Sequence, residues 1–139
     1  MHRRSVPVLF LLPFLLSACG ANLRGSTTMD DLQDQPAQTT TVVFHEGDSL
    51  ALPGFSVAGK VMNRNGELIV VYEYNSETAS AADAAKVSTD GRSVDGNALA
   101  WNGPVHFFRH GRVTVVYVGT NADLLATLRA DAGDQFAGE

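Results

Sequence analysis

The stretch Asn65-Gly66-Glu67-Leu68-Ile69-Val70-Val71-Tyr72 is answered 45 residues later by His110-Gly111-Arg112-Val113-Thr114-Val115-Val116-Tyr117. Each copy runs glycine, charged residue, apolar residue, and then on to Val-Val-Tyr. In each, two polar capping positions follow and a helical pattern begins. Asn and Gly both tolerate the positive φ that a two-residue type I′ turn demands, and alternating segments flank Asn65-Gly66. That turn sets Val61 opposite Val70 and Gly59 opposite Tyr72, so a tyrosine ring can lie across the strand glycine. Val57, Val61, Leu68, Val70, Tyr72 and Tyr74 then share one face. Ile69 and Val71 make the other face apolar too, which marks residues 68–74 as a central strand.

Working outward, Thr41-Val42-Val43-Phe44 is a short strand, and Asn75-Ser76 caps an alanine-rich helix reaching about Val87. Asp95-Gly96 is a turn before the short strand Ala98–Trp101. Val105–Phe108 and Arg112–Val118 make a second hairpin. A two-residue turn pairing Arg109 with Arg112 is unfavourable. A three-residue turn with Gly111 left-handed is therefore expected, and it places Val105 and Phe107 with Val113, Val115 and Tyr117. Thr120-Asn121-Ala122-Asp123 opens a last helix with a Leu124, Leu125, Leu128 stripe, stopped by Gly133. The expected fold is α+β: an antiparallel sheet of four or more strands with two helices on one face, from tandem ββα units, a ferredoxin-like permutation.

The N-terminus has a different grammar. Arg3-Arg4 precede an apolar run from Val6 to Leu16, and Leu16-Ser17-Ala18-Cys19 closes it. The run is shorter than the ~20 residues a bilayer span needs, and a basic head, apolar core and small residues at a cut site make a signal peptide. Leu16-Ser17-Ala18-Cys19 resembles the lipobox of bacterial lipoproteins. The resemblance implies that the Cys19 thiol carries diacylglycerol, that cleavage falls just before it, and that the new amino group is often acylated too. Several acyl chains anchor firmly, since each buried methylene contributes ~0.8 kcal/mol. Gly20, rather than an Asp, leans towards the outer membrane where the cell has one, and otherwise the anchor lies on the outer face of the cytoplasmic membrane.

The expected organisation is residues 1–18 as signal peptide, 19–40 as lipidated cysteine and flexible tether, and 41–139 as one α+β domain. The tether is rich in Thr, Gln, Asp and Ser and too poor in apolar side chains to offset chain entropy. About 20 residues average ~25 Å and extend to roughly 70 Å. Loss of Arg3 and Arg4 moves the formal charge from −5 to −7. Such an acidic chain suits neither nucleic acid nor electrostatic adsorption to anionic lipid. Cys19 is the single cysteine, so no disulfide forms within the chain.

The domain also shows Phe55-Ser56-Val57, Val71-Tyr72-Glu73-Tyr74, Ser88-Thr89-Asp90-Gly91, Pro104-Val105-His106-Phe107-Phe108 and Asp134-Gln135-Phe136-Ala137-Gly138. With these it resembles a group of small uncharacterised bacterial lipoproteins. That resemblance carries over no functional residues. It departs at Val105 and at Ala132-Gly133-Asp134.

Chemistry is sparse. His106 and His110 are four apart, but on a strand four residues span ~13 Å, too far for one zinc; His45 could join one of them only through the fold. No serine sits in a nucleophile elbow and no glycine loop has phosphate-binding spacing. Trp101, Phe107 and Phe108 cluster around Pro104, and aromatics are favoured at binding hot spots. If both helices cover one face, Phe108, Val116 and Val118 lie on an open one. Trp101, His106, Phe108 and Val116 are thus the candidate interaction surface, with no cofactor, metal or catalytic residue expected. The reading is a non-enzymatic envelope lipoprotein, anchored in the membrane through Cys19, whose domain binds an envelope protein; the alternative is a small-ligand or metal-binding module.

Overall fold

The computed structural model describes residues 39–139. The signal peptide, Cys19 and nearly all of the tether lie outside the described residues. The described chain is α+β: nine strands, β1 (Thr40–Val42), β2 (Ser49–Leu50), β3 (Gly59–Arg64), β4 (Glu67–Glu73), β5 (Ser93–Val94), β6 (Asn97–Trp101), β7 (Val105–His110), β8 (Val113–Val118) and β9 (Gln135–Gly138), and two helices, α1 (Glu77–Ala84) and α2 (Ala122–Ala132). Six strands form an antiparallel sheet in the order β2-β3-β4-β8-β7-β9. The other three form a small sheet, β1-β6-β5, in which β1 runs parallel to β6. Thr40, placed in the tether by sequence, is already paired with Leu99.

The first hairpin forms as its turn chemistry dictates. Asn65 and Gly66 take φ of 56° and 86°, and Arg64 pairs with Glu67 and Val61 with Val70. Gly59 lies under the Tyr72 ring; a Cβ there would stand 2.6 Å from the ring's Cζ and from a Val70 methyl. β4 has strands on both sides, as its two apolar faces require.

The second hairpin differs from expectation. Its turn is two residues, Gly111-Arg112, with His110 opposite Val113 and Gly111 at φ 53° in the first turn position, the glycine pattern of a type II′ turn. Arg109 then faces Thr114, so the arginine–arginine clash never arises. The shift from the expected register is an odd number of residues, and an odd slip moves every side chain to the other face. Phe107 therefore joins Val116, not Val115 and Tyr117, and Phe108 joins Val115.

The helices do not share a face. Across β4 and β8, Tyr72 pairs with Thr114 and Tyr117 with Ile69. The two equivalent tyrosines of the sequence repeat are thus three residues out of register and point to opposite sides. Each helix is capped four residues after its tyrosine, by Ser76 or Asn121, and lies on the face that the tyrosine takes. α2 lays Leu124, Leu128 and Ala132 on Ile69, Phe108, Val115 and Tyr117. α1 packs on the other face, where Ala79 meets the larger core and the Ser80 hydroxyl is 3.4 Å from that of Thr114. The small sheet covers that same face, bringing Val42, Val94 and Leu99 against Val61, Val70, Phe107 and Val116. The two-helices-on-one-face arrangement of a ferredoxin-like permutation is therefore replaced by a sheet covered on both sides.

Gly59→Ala should force the Tyr72 ring or Val70 to move. We expect urea unfolding of the unlipidated Cys19→Ser chain to show a loss of roughly 1–3 kcal/mol, while Gly103→Ala, whose backbone is not left-handed and whose Cβ would meet only a Val118 methyl at 3.5 Å, should cost less.

Candidate functional site

Where the strand β6 ends, Asn102-Gly103-Pro104 turns the chain into β7 and leaves an open cleft of about 530 Å³. Leu99, Ala100, Trp101, Pro104 and Val105 give it an apolar lining, with Thr39, Arg92 and Glu139 as its polar contributors. Leu99 and Trp101 share one face of β6, Leu99 buried in the core and Trp101, the strand's last residue, half-buried at its edge. The indole is held on two sides: its Nε1–H donates to the Gly91 carbonyl at 2.8 Å, and it meets the Phe107 ring edge-on, centroids 6.0 Å apart. Gly91, at φ 69°, is pressed so closely on Val105 and Phe107 that a Cβ would collide. Trp101 is therefore a rigid aromatic wall. At the rim Arg92 and Glu139 form an exposed ion pair, a contact of small energetic weight that sets opposite charges beside the apolar floor.

The other sequence candidates lie elsewhere. Phe108 and Val116 are fully buried and on opposite faces of the six-stranded sheet. His106 is buried under α2, stacked on Tyr117 at 5.9 Å, with Nε2 2.9 Å from the Gly119 carbonyl oxygen and Nδ1 3.3 Å from Oε1 of Gln135. It fastens β9 and the end of β8. The open face expected to carry Phe108, Val116 and Val118 does not exist, because the small sheet and α1 occupy one side and α2 the other. His45 pairs locally with Asp48, away from both bonds of His106. Among the described residues no three His, Asp or Glu side chains gather as metal ligands.

A second hollow, about 250 Å³, runs along α2 over Ile69, Val71, Val113 and Val115, and the Arg64–Asp131 ion pair spans it.

One polar cluster is buried between α1 and the loop before β3. Asp83, almost fully buried, accepts from the Ser56 amide at 2.6 Å, from the Ser56 hydroxyl at 2.8 Å and from the Lys86 ammonium at 2.8 Å. Lys86 also donates to the Gly54 carbonyl. Burial pushes the carboxyl up, but the Lys86 and Ser56 bonds outweigh it and hold Asp83 below the usual carboxylate range. Burial pushes the Tyr74 phenol up, and the nearby Asp83 charge adds to that; Tyr72 is raised by burial and then by Tyr74. These bonds tie the 52–58 loop to α1, and with it Phe55, whose ring meets Tyr72 edge-on at 5.1 Å. The cluster reads as a fastening.

Sequence reasoning found Trp101 because it clusters with Phe107 and Phe108 around Pro104, and aromatics are favoured at binding hot spots. It missed Arg92 and Glu139, which are 47 residues apart and share no periodic signal, and it missed Asp83, one of two acidic residues on an alanine-rich helix. Compared with protein-family models, curated proteins and solved structures, the chain matches none.

Asp83 carries a pH signature. Its pKa is lower folded than unfolded, so its stabilisation is present above the unfolded value near 4 and is lost as pH falls through the folded one. Asp83→Asn should lower stability by roughly 1–3 kcal/mol at pH 7. It should also flatten the decline in urea midpoint between pH 6 and pH 3; equal slopes for both chains would show that Asp83 is not the group responsible.

Proposed function

We propose that this chain is a lipid-anchored protein of the bacterial cell envelope, held through Cys19 on the extracytoplasmic side, and that its domain acts as a non-enzymatic accessory module that binds another envelope protein. The observation that carries the binding reading is the Trp101 cleft. A partner site needs a rigid aromatic anchor that loses little entropy on binding, an apolar floor and a polar rim. Trp101, Leu99–Ala100–Pro104 and the Arg92–Glu139 pair supply these in that order. The described lining sets an apolar floor beside Thr39, Arg92 and Glu139, which supports recognition by shape and charge. The volume also falls within the ~300–1,000 Å³ of small-molecule sites, which keeps a small ligand as the second reading. The lipobox supports the anchor, and the polar tether lets the cleft stand clear of the headgroups.

The test is crosslinking in living cells with a tagged chain, followed by recovery of what is bound. Cys19→Ser should move the chain out of the membrane fraction. Trp101→Ala should cut partner recovery at least tenfold, as loss of a central aromatic anchor does, and Arg92→Glu should reduce it without touching the core. Recovery unchanged in both cleft variants would move the site elsewhere; a thermal-shift response to small molecules that Trp101→Ala abolishes would favour the ligand reading.

A further inference from the structure

We infer that β1 is a docking edge at which a second copy of this chain adds a strand, giving a membrane-bound dimer through antiparallel β1–β1 pairing. β1 has β6 on one side, and among the described residues no strand lies on the other. Sheet edges are templates for unwanted pairing and are normally kept short, charged, bulged or covered. The other edges here follow that rule. β2 and β5 are two residues long, and β9 carries Gly138, whose N–H donates to the Thr89 carbonyl. β1 is different. Thr39-Thr40-Thr41-Val42-Val43-Phe44 contains no charge, proline or glycine, and its residue types favour strand. Val43 is 66% exposed, against 45% for Met62, the other large apolar side chain exposed among the described residues. Beside it lies a hollow of about 280 Å³, lined by Val42, Val43, Phe44, Leu68 and Val118 with Glu67 and Asn102 as its polar members.

Two features favour a second copy as the occupant. First, the edge is self-complementary. Laid antiparallel on itself, Thr and Val meet Thr and Val, and no like charges oppose. Second, the chain geometry allows it. Twenty residues separate Cys19 from Thr39, at most ~70 Å of extended chain. Pairing over about five residues leaves the two Thr39 positions only ~17 Å apart, so both anchors reach one bilayer. This part rests on the anchored reading above. A strand this short buries less than the ~1,200–2,000 Å² of a stable interface. Confinement to one membrane supplies the effective concentration that the contact area does not.

The twofold axis sharpens the test. Hydrogen-bonded and non-hydrogen-bonded pairs alternate along an antiparallel ladder, so the axis must pass through a residue that faces its own copy. Its Cα pair then lies ~4.5–5.5 Å apart, within disulfide reach. Thr40→Cys, Thr41→Cys, Val42→Cys and Val43→Cys are placed singly in the full chain, where acylated Cys19 leaves each as the free thiol, and native membranes are oxidised. One position should give a covalent dimer strongly and its sequence neighbours weakly, and adding Val43→Lys (or, where the thiol sits at 43 itself, Thr41→Lys) should cut the yield at least tenfold. Membrane fractionation reads the anchor separately. If the chain is not anchored, the pairing is judged by sedimentation of the purified chain at ~1 mM, where a dimer lost in Val43→Lys supports it. No dimer at any of the four positions in an anchored chain overturns the proposal, as does a dimer indifferent to the lysine, or a monomer at ~1 mM in an unanchored one. An edge covered instead by the chain's own N-terminal segment or by another protein would give that first overturning result.

Discussion

The register between β4 and β8 is the constraint on which the rest depends. It sets Tyr72 against Thr114 and Tyr117 against Ile69. Strand side chains alternate with period two, so this single alignment decides which face every residue of the two central strands occupies. It sends the two repeat-equivalent tyrosines to opposite sides. Tyr117 then accepts the Asn121 amide through its hydroxyl, at 3.1 Å, tying the start of α2 to the face that its own ring occupies. Tyr72 and Tyr74 lie on the other face with α1. Two units with nearly the same local sequence are thereby mounted back to back, and the sheet between them is buried on both sides. That is why β4 and β8 read as nearly continuous apolar runs, the pattern expected of doubly covered strands.

Local chemistry was legible in the sequence and long-range register was not. Asn65-Gly66 specifies its turn alone, and from it Val61–Val70 and the Gly59–Tyr72 contact follow by counting. The caps at Ser76 and Asn121 and the stop at Gly133 are equally local. His110-Gly111-Arg112 admits two turn lengths, and the repulsion between Arg109 and Arg112 argued for the longer. The fold removes that repulsion differently, by running β7 on to His110 and leaving Arg112 in the turn, so that Arg109 faces Thr114. Trp101 could be picked out by type, but its partners in the cleft, Arg92 and Glu139, come together only after β9 closes on β7. Burial of Phe108 and Val116 likewise depends on layers that no single segment encodes.

The larger core is not wholly apolar. Thr114 and Ser80 meet inside it, Asp83 is sealed against Ser56 and Lys86, and the Tyr72 and Tyr74 hydroxyls are buried with no protein hydrogen-bond partner among the described residues. Buried polar groups cost stability unless satisfied, so such a cluster must do something an apolar patch would not. A carboxylate that needs Ser56 from a loop and Lys86 from the end of a helix discriminates one docking of that loop from all others. Phe55 is then delivered edge-on to Tyr72, and Tyr72 over Gly59. The polar cluster specifies position along a face whose apolar contacts alone would tolerate sliding.

With both faces of the large sheet covered, the surfaces that the proposed binding reading uses lie at its margins. The Trp101 cleft lies where the small sheet meets β7, and the unguarded strand β1 lies at the small sheet's outer edge. Both belong to the three-stranded sheet rather than to the repeat. β1 is also the first strand of the described residues, and it joins β6 in parallel through only three residue pairs. A strand held so lightly would stay in place more readily if its free side were also paired. On the anchored reading proposed above, the same segment would then connect the membrane, the domain and a neighbouring copy, and a mixed sheet this small, marginal alone, would gain stability as the assembly forms.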